Sequence, residues 1–176
     1  MRMATLILAI AVGSPGSALA VGEGGVPDTD PVRECRGGFV WDEDTKRCVL
    51  PKDNSLSDDA RFDAARAYAY VGQPEHALTV LAAMTNQNAD RVLTYKGFAH
   101  RKAGRLDLAQ IFYAKALAQN PNNNLARSYR AQGYVEAGHL ELARAELTEI
   151  RRRGGRGTWA EISLRLALDS GAGFSY

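Results

Sequence analysis

Apolar and small residues recur at helical spacing through most of the chain after Ser57. Three stretches share one pattern, in which a glycine is followed five residues later by an alanine: VGQPEHALTVLAAM from Val71, AGRLDLAQIFYAKALAQNP from Ala103 and AGHLELARAELTEI from Ala137. Each glycine separates two helical runs, and glycine suits the left-handed conformation that ends a helix. The pattern therefore predicts three helix–turn–helix units, whose glycines Gly72, Gly104 and Gly138 are 32 and 34 residues apart.

Further signals mark where helices begin. Ser57 is predicted to cap the first helix, and Pro74 fits the first turn of the second. After the glycine-rich stretch GGRG, Thr158 and Glu161 have the spacing of a capping box and predict a last helix over 158–170. Its expected apolar face consists of Trp159, Ile162, Leu166 and Ala167.

Small and large residues alternate at matching positions of the three units, as close packing of paired helices requires. The central unit has Gly97, His100, Gly104, Leu106, Ala109, Tyr113, Ala116 and Pro121 at these positions. The first has Ala65, Tyr68, Gly72, Pro74, Ala77, Leu81 and Met84, and the third has Ala131, Tyr134, Gly138, Leu140, Ala143, Leu147 and Ile150.

With a period near 34, these residues resemble the tetratricopeptide-repeat (TPR) family. The resemblance implies an all-α fold, a right-handed α-solenoid of about three TPR helix–turn–helix repeats over 58–89, 90–123 and 124–153, with 158–170 as a C-terminal capping helix and a domain spanning 57–176. The outer repeats depart from the family pattern. The first is shortened before Asp90, Met84 and Ile150 replace a usual alanine, and Arg130 stands where an apolar residue is usual.

The chain before Ser57 lacks the helical repeat pattern. Residues 1–20, MRMATLILAIAVGSPGSALA, resemble a cleaved secretory signal peptide, and an N-terminal membrane anchor or a buried helix is the alternative. Residues 21–56 are predicted to form a flexible leader and a hairpin or loop closed by a disulfide between Cys35 and Cys48. A metal site is the weaker alternative, because two thiols without a nearby histidine are too few ligands.

The whole mature chain resembles a group of exported bacterial TPR proteins. The N-terminal part of the resemblance is a Cys/Trp segment formed here by Cys35, Gly38, Val40, Trp41, Asp42, Cys48 and Val49. Similar proteins often carry two more cysteines near the end of the third repeat, where this chain has Gly154, Gly155 and Trp159. The resemblance implies a periplasmic or secreted location and no defined activity.

Charge is unevenly distributed along the chain. The formal net charge is +2, but residues 21–60 carry ten acidic and five basic side chains, whereas residues 61–176 carry ten acidic and sixteen basic ones. The second part is therefore expected to prefer anionic partners or to face the first part. The basic density is too low to indicate nucleic-acid binding, and the basic run 151–156 is better explained by cations at a helix C-terminus.

No combination of residues indicates catalysis, a metal site or a cofactor. His76, His100 and His139 fall at different positions of their repeats, and no phosphate-binding loop or nucleophile motif is present. No later segment is apolar enough to cross a membrane. The sequence predicts a non-enzymatic protein-interaction scaffold or adaptor of the cell envelope that could also form oligomers.

The first helices of TPR repeats line a concave groove, which is the predicted binding site. Its expected side chains are Phe62, Arg66, Tyr70, Arg91, Thr94, Phe98, Arg101, Lys102 and Gln132, with Leu125, Ser128 and Val135 beside them. Such a groove suits an extended acidic peptide. The alternative is that the cations form only the solvated face of the helices and that Phe98 belongs to the core. The particular Lys/Asn/Arg set of carboxylate-clamp repeats is not matched.

Three further hypotheses concern the N-terminal part. The acidic leader, with Asp28, Asp30 and Glu34, could occupy the groove of its own chain. The Cys35–Cys48 segment, with Phe39 and Trp41, could bind carbohydrate or cell wall, although these two rings are better explained as packing on the first repeat. The protein could also be an accessory subunit of an envelope enzyme.

Overall fold

The computed structural model of the protein describes residues 35–174, so the predicted signal peptide and most of the predicted leader lie outside the described residues. Within this range the fold is mostly helical, and a two-stranded hairpin precedes seven helices. The strands are β1 (Val40–Asp42) and β2 (Arg47–Val49). The helices are α1 (Asp58–Tyr70), α2 (Pro74–Ala82), α3 (Asp90–Lys102), α4 (Leu106–Gln119), α5 (Asn124–Glu136), α6 (Leu140–Arg152) and α7 (Trp159–Ser170).

The predicted disulfide and hairpin are both confirmed. Strands β1 and β2 pair antiparallel, with Trp41 opposite Cys48. A disulfide joins Cys35 to Cys48, and their Cα atoms are 5.6 Å apart. Within the turn, the carboxylate of Asp42 accepts hydrogen bonds from the Asp44 amide at 3.0 Å and the Thr45 hydroxyl at 2.8 Å.

The hairpin packs on α1 through Val40 and through two backbone carbonyls. Val40 is buried and belongs to the same hydrophobic cluster as Ala64 of α1. The Tyr68 hydroxyl lies 2.8 Å from the carbonyl oxygen of Phe39 and 3.1 Å from that of Cys35. The side chain of Phe39 is 38% exposed, so this ring lies outside the buried core, and its packing on the first repeat stays a prediction. Because side chains alternate between the two faces of a strand, burying Val40 turns its neighbours away from α1.

The segment between the hairpin and α1 is held in place by one buried arginine. The Arg61 guanidinium donates to the carbonyl oxygens of Pro51 and Asp53, each at 2.7 Å, and of Leu56 at 2.9 Å. Ser57 caps α1 as predicted, since its hydroxyl accepts the Ala60 amide at 3.1 Å. The hairpin is therefore fixed to the helical part by backbone hydrogen bonds as well as by apolar contacts.

The three predicted glycine turns have one geometry. Gly72, Gly104 and Gly138 have φ values of 76°, 75° and 79°, in the left-handed region that favours glycine. In each turn, the residue that follows the glycine donates its amide to the carbonyl of the residue four positions before the glycine. These bonds run from Gln73 to Tyr68 at 2.8 Å, from Arg105 to His100 at 2.9 Å and from His139 to Tyr134 at 2.8 Å.

The predicted small and large positions meet inside each helix pair. Ala77, Ala109 and Ala143 are buried in the three second helices. The closest approach is at Gly97, where an added Cβ would come within 2.6 Å of the Tyr113 ring. A glycine in α3 therefore makes room for a buried tyrosine of α4.

The helix pairs stack in chain order. Each second helix contacts the first helix of the next pair, and α1, α3, α5 and α7 contact one another in succession more extensively than α2, α4 and α6 do. The first helices therefore form one side of the stack, which we call the inner side. No strand follows Ser57 in the part of the chain that the structure describes. Assignment of these pairs to the TPR family stays a prediction.

The last helix begins and ends close to the predicted bounds, but its buried face is different. Ala160, Ser163, Leu164 and Ala167 are buried. Ile162 and Leu166, which were predicted to be buried, are 36% and 43% exposed. Polar contacts set this rotation, because the Ser163 hydroxyl lies 3.1 Å from that of Ser128 on α5.

The predicted capping box is also wrong in detail. Thr158 has the backbone conformation of an N-cap, but its hydroxyl donates to the Gly155 carbonyl at 2.7 Å. The Glu161 carboxylate accepts from the Gly157 amide at 2.7 Å and from Arg151 at 2.6 Å. Glu161 therefore ties the start of α7 to the end of α6.

Candidate functional site

A cavity of about 270 Å³ opens on the inner side, where α1 and α3 meet the beginnings of α5 and α7. Five of the predicted groove residues line it: Phe62, Arg66, Tyr70, Arg91 and Thr94. Leu125, expected beside the groove, lines it as well, together with Tyr95, Asn123 and Trp159. Residues from four helices thus converge at one place, as the helical periodicity of α1 and α3 predicts.

One wall of the cavity consists of aromatic rings in edge-to-face contact. The ring centroids of Phe62 and Tyr95 are 5.2 Å apart, and those of Tyr70 and Tyr95 are 6.0 Å apart. The Tyr70 hydroxyl lies 2.5 Å from that of Tyr95 and 3.3 Å from that of Tyr129. Burial raises the pKa of Tyr95, and Tyr70 raises it further, so this phenol stays neutral. The wall is therefore apolar and uncharged.

Two arginines lie against this wall. The guanidinium carbon of Arg66 is 5.9 Å from the centroids of Phe62, Tyr70 and Tyr95, and that of Arg91 is 4.8 Å from the centroid of Phe62. Contact with the rings holds both cations, and Arg66 also interacts with the hydroxyls of Tyr70 and Tyr95.

The ion pairs of these arginines lie toward solvent. Arg91 pairs with the exposed Asp59 at 2.7 Å, and Arg66 approaches the exposed Asp63 at 3.5 Å. The buried Nε of Arg66 has no hydrogen-bond partner among the described residues. Because exposed pairs contribute only about 0–1 kcal/mol, a carboxylate entering the cavity can replace them at little cost.

The rim opposite the arginines is polar and fixed. The Asn123 amide nitrogen donates to the Thr94 hydroxyl and to the Asp90 carboxylate, each at 3.1 Å, while its oxygen caps α5 by accepting the Ala126 amide at 2.9 Å. Sequence reasoning missed Asn123, Tyr95 and Trp159 as lining residues. Asparagine is a favoured helix N-cap, so the place of Asn123 at the start of α5 could be predicted, but the side chains that it contacts could not.

The other predicted groove residues do not line the cavity. Phe98 is fully buried in the hydrophobic core, as the alternative interpretation expected. Lys102 lies over the Phe98 ring, with its Nζ 5.8 Å from the centroid, and burial lowers the pKa of Lys102. Arg101 and Gln132 are buried together with Ser128 and Val135.

Arg101 and Gln132 belong to a buried polar cluster next to the cavity. Arg101 pairs with Glu136 at 2.5 Å and donates to the Gln132 side-chain oxygen at 3.3 Å. The Gln132 amide nitrogen donates to the Ser128 and Ser163 hydroxyls, each at 3.3 Å. These bonds connect α3, α5 and α7 and fix the orientation of the Gln132 amide.

Two of the three histidines, His76 and His100, pack against aromatic rings. His100 stacks on the Phe112 ring, with centroids 5.1 Å apart, and burial lowers the pKa of His100, as does nearby Arg105. His76 packs edge-on against Tyr68.

In the basic run, Arg152 and Arg153 both pair with one carboxylate, that of Glu149. Arg152 and, to a lesser extent, Arg153 lower the pKa of Glu149 to about 2. A third arginine of the run, Arg151, pairs with Glu161 of α7, so three of its four cations have carboxylate partners. Within residues 35–174, no group of three or more His, Cys, Asp or Glu side chains is arranged to hold a metal ion.

The fold and site together define a mostly helical protein that carries a disulfide-closed hairpin and an inner cavity of aromatic and cationic side chains. The chain matches no protein-family model, no curated protein and no solved structure. Within the part that the structure describes, no helix is long and apolar enough to cross a membrane.

Proposed function

We propose that the protein is a non-catalytic interaction scaffold, built as a solenoid of about three tetratricopeptide-type repeats, that binds an extended acidic peptide segment on its inner side. The observation that carries the proposal is the placement of Arg66 and Arg91 on an aromatic wall, where their ion-pair partners within residues 35–174 are exposed carboxylates. A guanidinium offers a planar set of donors that suits a carboxylate.

The size of the cavity favours a peptide over a free small molecule. Its volume of about 270 Å³ lies at or below the roughly 300–1,000 Å³ of typical small-molecule pockets. A cavity of this size takes a side chain or two of a longer segment, whose remaining backbone lies along the inner side. The aromatic wall then contacts the apolar part of the segment, and the arginines contact its carboxylates.

The acidic leader is the first candidate occupant. Residues 21–34 include Glu23, Asp28, Asp30 and Glu34 against one basic residue, Arg33, and they directly precede the hairpin. Tethering gives such a segment a high effective concentration near the inner side. The leader therefore supplies a natural probe of the site, whether or not another protein binds there.

The test is a binding titration with a fluorescent peptide of residues 21–34. A chain that lacks residues 21–34 should bind this peptide more tightly than the full chain does, because the tethered copy no longer competes. Replacing Arg66→Gln or Arg91→Gln should weaken binding about tenfold or more, since a hydrogen bond to a charged group contributes about 1.5–3 kcal/mol.

The matched control is Arg144→Gln, which removes another arginine paired with an exposed carboxylate, that of Glu141 on α6. This change should leave the affinity unaltered. Equal affinities for all three arginine variants would contradict the proposed site. If the chains with and without residues 21–34 bind the peptide equally, only the occupancy of the site by the leader is contradicted, and the site itself is not.

We place the protein in the periplasm or outside the cell. A disulfide such as Cys35–Cys48 is stable in oxidising compartments, and its support of the hairpin gives it a structural role. Co-purification from an envelope fraction would identify the partner, and recovery of the protein only from the cytosol would contradict this location.

A second candidate function is glycan binding by the hairpin. The observation that favours it is the ring of Phe39, which is 38% exposed although a packed ring was expected. Titration of the full chain with cell-wall glycans, compared with Phe39→Ala, separates this function from peptide binding. Glycan binding that Phe39→Ala abolishes and Arg66→Gln leaves unchanged would establish it.

A further inference from the structure

The residues that follow α7 return along the inner side. Gly171 ends α7 in the left-handed conformation, with φ of 71°. The ring of Phe174 then lies 5.2 Å from that of Trp159, the first residue of the same helix. Since α7 has 12 residues and is therefore about 18 Å long, residues 171–174 must run back along it. We call residues 171–174 the tail.

The tail is bound through its backbone by the buried polar cluster. The Phe174 amide donates to the side-chain oxygen of Gln132 at 3.1 Å. Gln132 is only 1% exposed, and its amide nitrogen is engaged by two serine hydroxyls, so its oxygen is directed at the tail. The cluster that sequence analysis assigned to a groove thus holds an extended backbone.

The residue before Phe174 in the tail, Gly173, lies directly against an ion pair. A Cβ added to Gly173 would lie 1.8 Å from Oε1 of Glu136 and 2.3 Å from Nη1 of Arg101. The tail backbone therefore covers this ion pair directly, and the Arg101 side chain is 0% exposed. Any larger residue at position 173 would have to displace the ends of these two side chains, so a glycine followed by an aromatic residue suits this place.

Trp159 connects the tail to the cavity. Trp159 contacts Phe174 and also lines the cavity that contains Arg66. A peptide lying along the inner side would pass from the cavity over Trp159 and meet the tail.

We propose that the tail is a built-in ligand of the inner side, which a partner segment must displace with a glycine–aromatic pair of its own while its acidic residues enter the cavity. This inference rests on the proposed function, because it states that the tail regulates binding of the partner segment. If the tail is seated nine-tenths of the time, the apparent affinity for a partner falls about tenfold.

The experiment uses the full chain and the fluorescent peptide 21–34 extended at one end by Gly-Phe. Phe174→Ala and Gly173→Ala should each bind this probe about five- to tenfold more tightly than the original chain, because the tail is released. Ile162→Ala, on the exposed face of α7, is the control and should leave the affinity unchanged. Hydrogen exchange at the residue-174 amide reports tail seating independently and should accelerate in both tail variants but not in the control.

The outcomes separate the two proposals. If the probe binds the original chain and both tail variants equally, the tail inference is overturned and the proposed function stands. If the probe binds neither the original chain nor any variant, the proposed function fails. Hydrogen exchange at the residue-174 amide then decides whether the tail is seated. A slow residue-174 amide that Gly173→Ala makes fast would uphold the built-in contact, and a fast amide in the original chain would overturn it.

Discussion

The contact between Gly97 and Tyr113 gives the sharpest test of how the helix pairs are packed. Replacing Gly97→Ala places a Cβ 2.6 Å from a ring carbon of the fully buried Tyr113, closer than real Cβ atoms come to neighbours. Overpacking of this kind costs about 1–3 kcal/mol. Replacing glycine by alanine within a helix stabilises the folded chain by about 0.8–1 kcal/mol through helix propensity. We therefore expect the free energy of unfolding to fall by about 1 kcal/mol.

A second substitution should relieve this cost. The first and third helix pairs combine an alanine at the position of Gly97 with Leu81 or Leu147 at the position of Tyr113. Tyr113→Leu alone leaves a space above Gly97 and should cost about 2 kcal/mol. In the double variant Gly97→Ala with Tyr113→Leu, the added methyl enters that space. The double variant should therefore be more stable than the sum of the single effects by about 1–2 kcal/mol.

The assay is urea unfolding followed by far-ultraviolet circular dichroism on the four chains of this cycle. Gly133→Ala is the matched control, because its added Cβ would meet only the movable amide end of Gln110, at 2.9 Å. That change should be neutral or stabilising. Effects of Gly97→Ala and Tyr113→Leu that add within about 0.5 kcal/mol would refute the packing argument.

Three further predictions concern stability. Reducing the Cys35–Cys48 disulfide should lower the free energy of unfolding by about 3 kcal/mol, and a Cys35→Ala, Cys48→Ala chain should not respond to reductant in a thermal melt. Arg61→Met should cost about 3 kcal/mol or more in urea unfolding, because three backbone carbonyls lose a charged donor, and a cost under about 1 kcal/mol would contradict this. Since burial lowers the pKa of His100, the unfolded chain binds its proton first, near pH 6.5, and acidification destabilises the fold. His100→Phe should therefore lose less stability than the original chain between about pH 7.5 and 5.5.

Helix boundaries and turns could be predicted from the sequence because local chemistry determines them. Gly72, Gly104 and Gly138 each end a helix in the left-handed conformation, and Ser57 caps α1 through its own hydroxyl. The disulfide was predictable because two cysteines allow only one pairing within the chain.

The rotation of α7 could not be predicted from apolar spacing. Ile162 and Leu166 suggest a buried stripe, but the polar contact between Ser163 and Ser128 turns these residues outward. The hydrogen bonds that order the residues before α1 could not be predicted either, because their donor, Arg61, lies within a helix. Both features depend on contacts between segments, which spacing along one helix does not encode.

Six of the nine residues that line the cavity were predicted from the sequence, and three were not. Phe62, Arg66 and Tyr70 lie along α1 at intervals of four residues and therefore face one way. Trp159 reaches the cavity only because α7 packs against α5, and Arg101 is covered by a tail that no repeat pattern predicts.

The most direct test of the proposed function is a map of amide chemical shifts by nuclear magnetic resonance as peptide 21–34 is added to the chain that lacks those residues. The account predicts that the largest changes cluster around the cavity on α1 and α3, near Arg66 and Arg91, and extend to Trp159. Changes confined to the β1–β2 hairpin or to the outer helices α4 and α6 would contradict it.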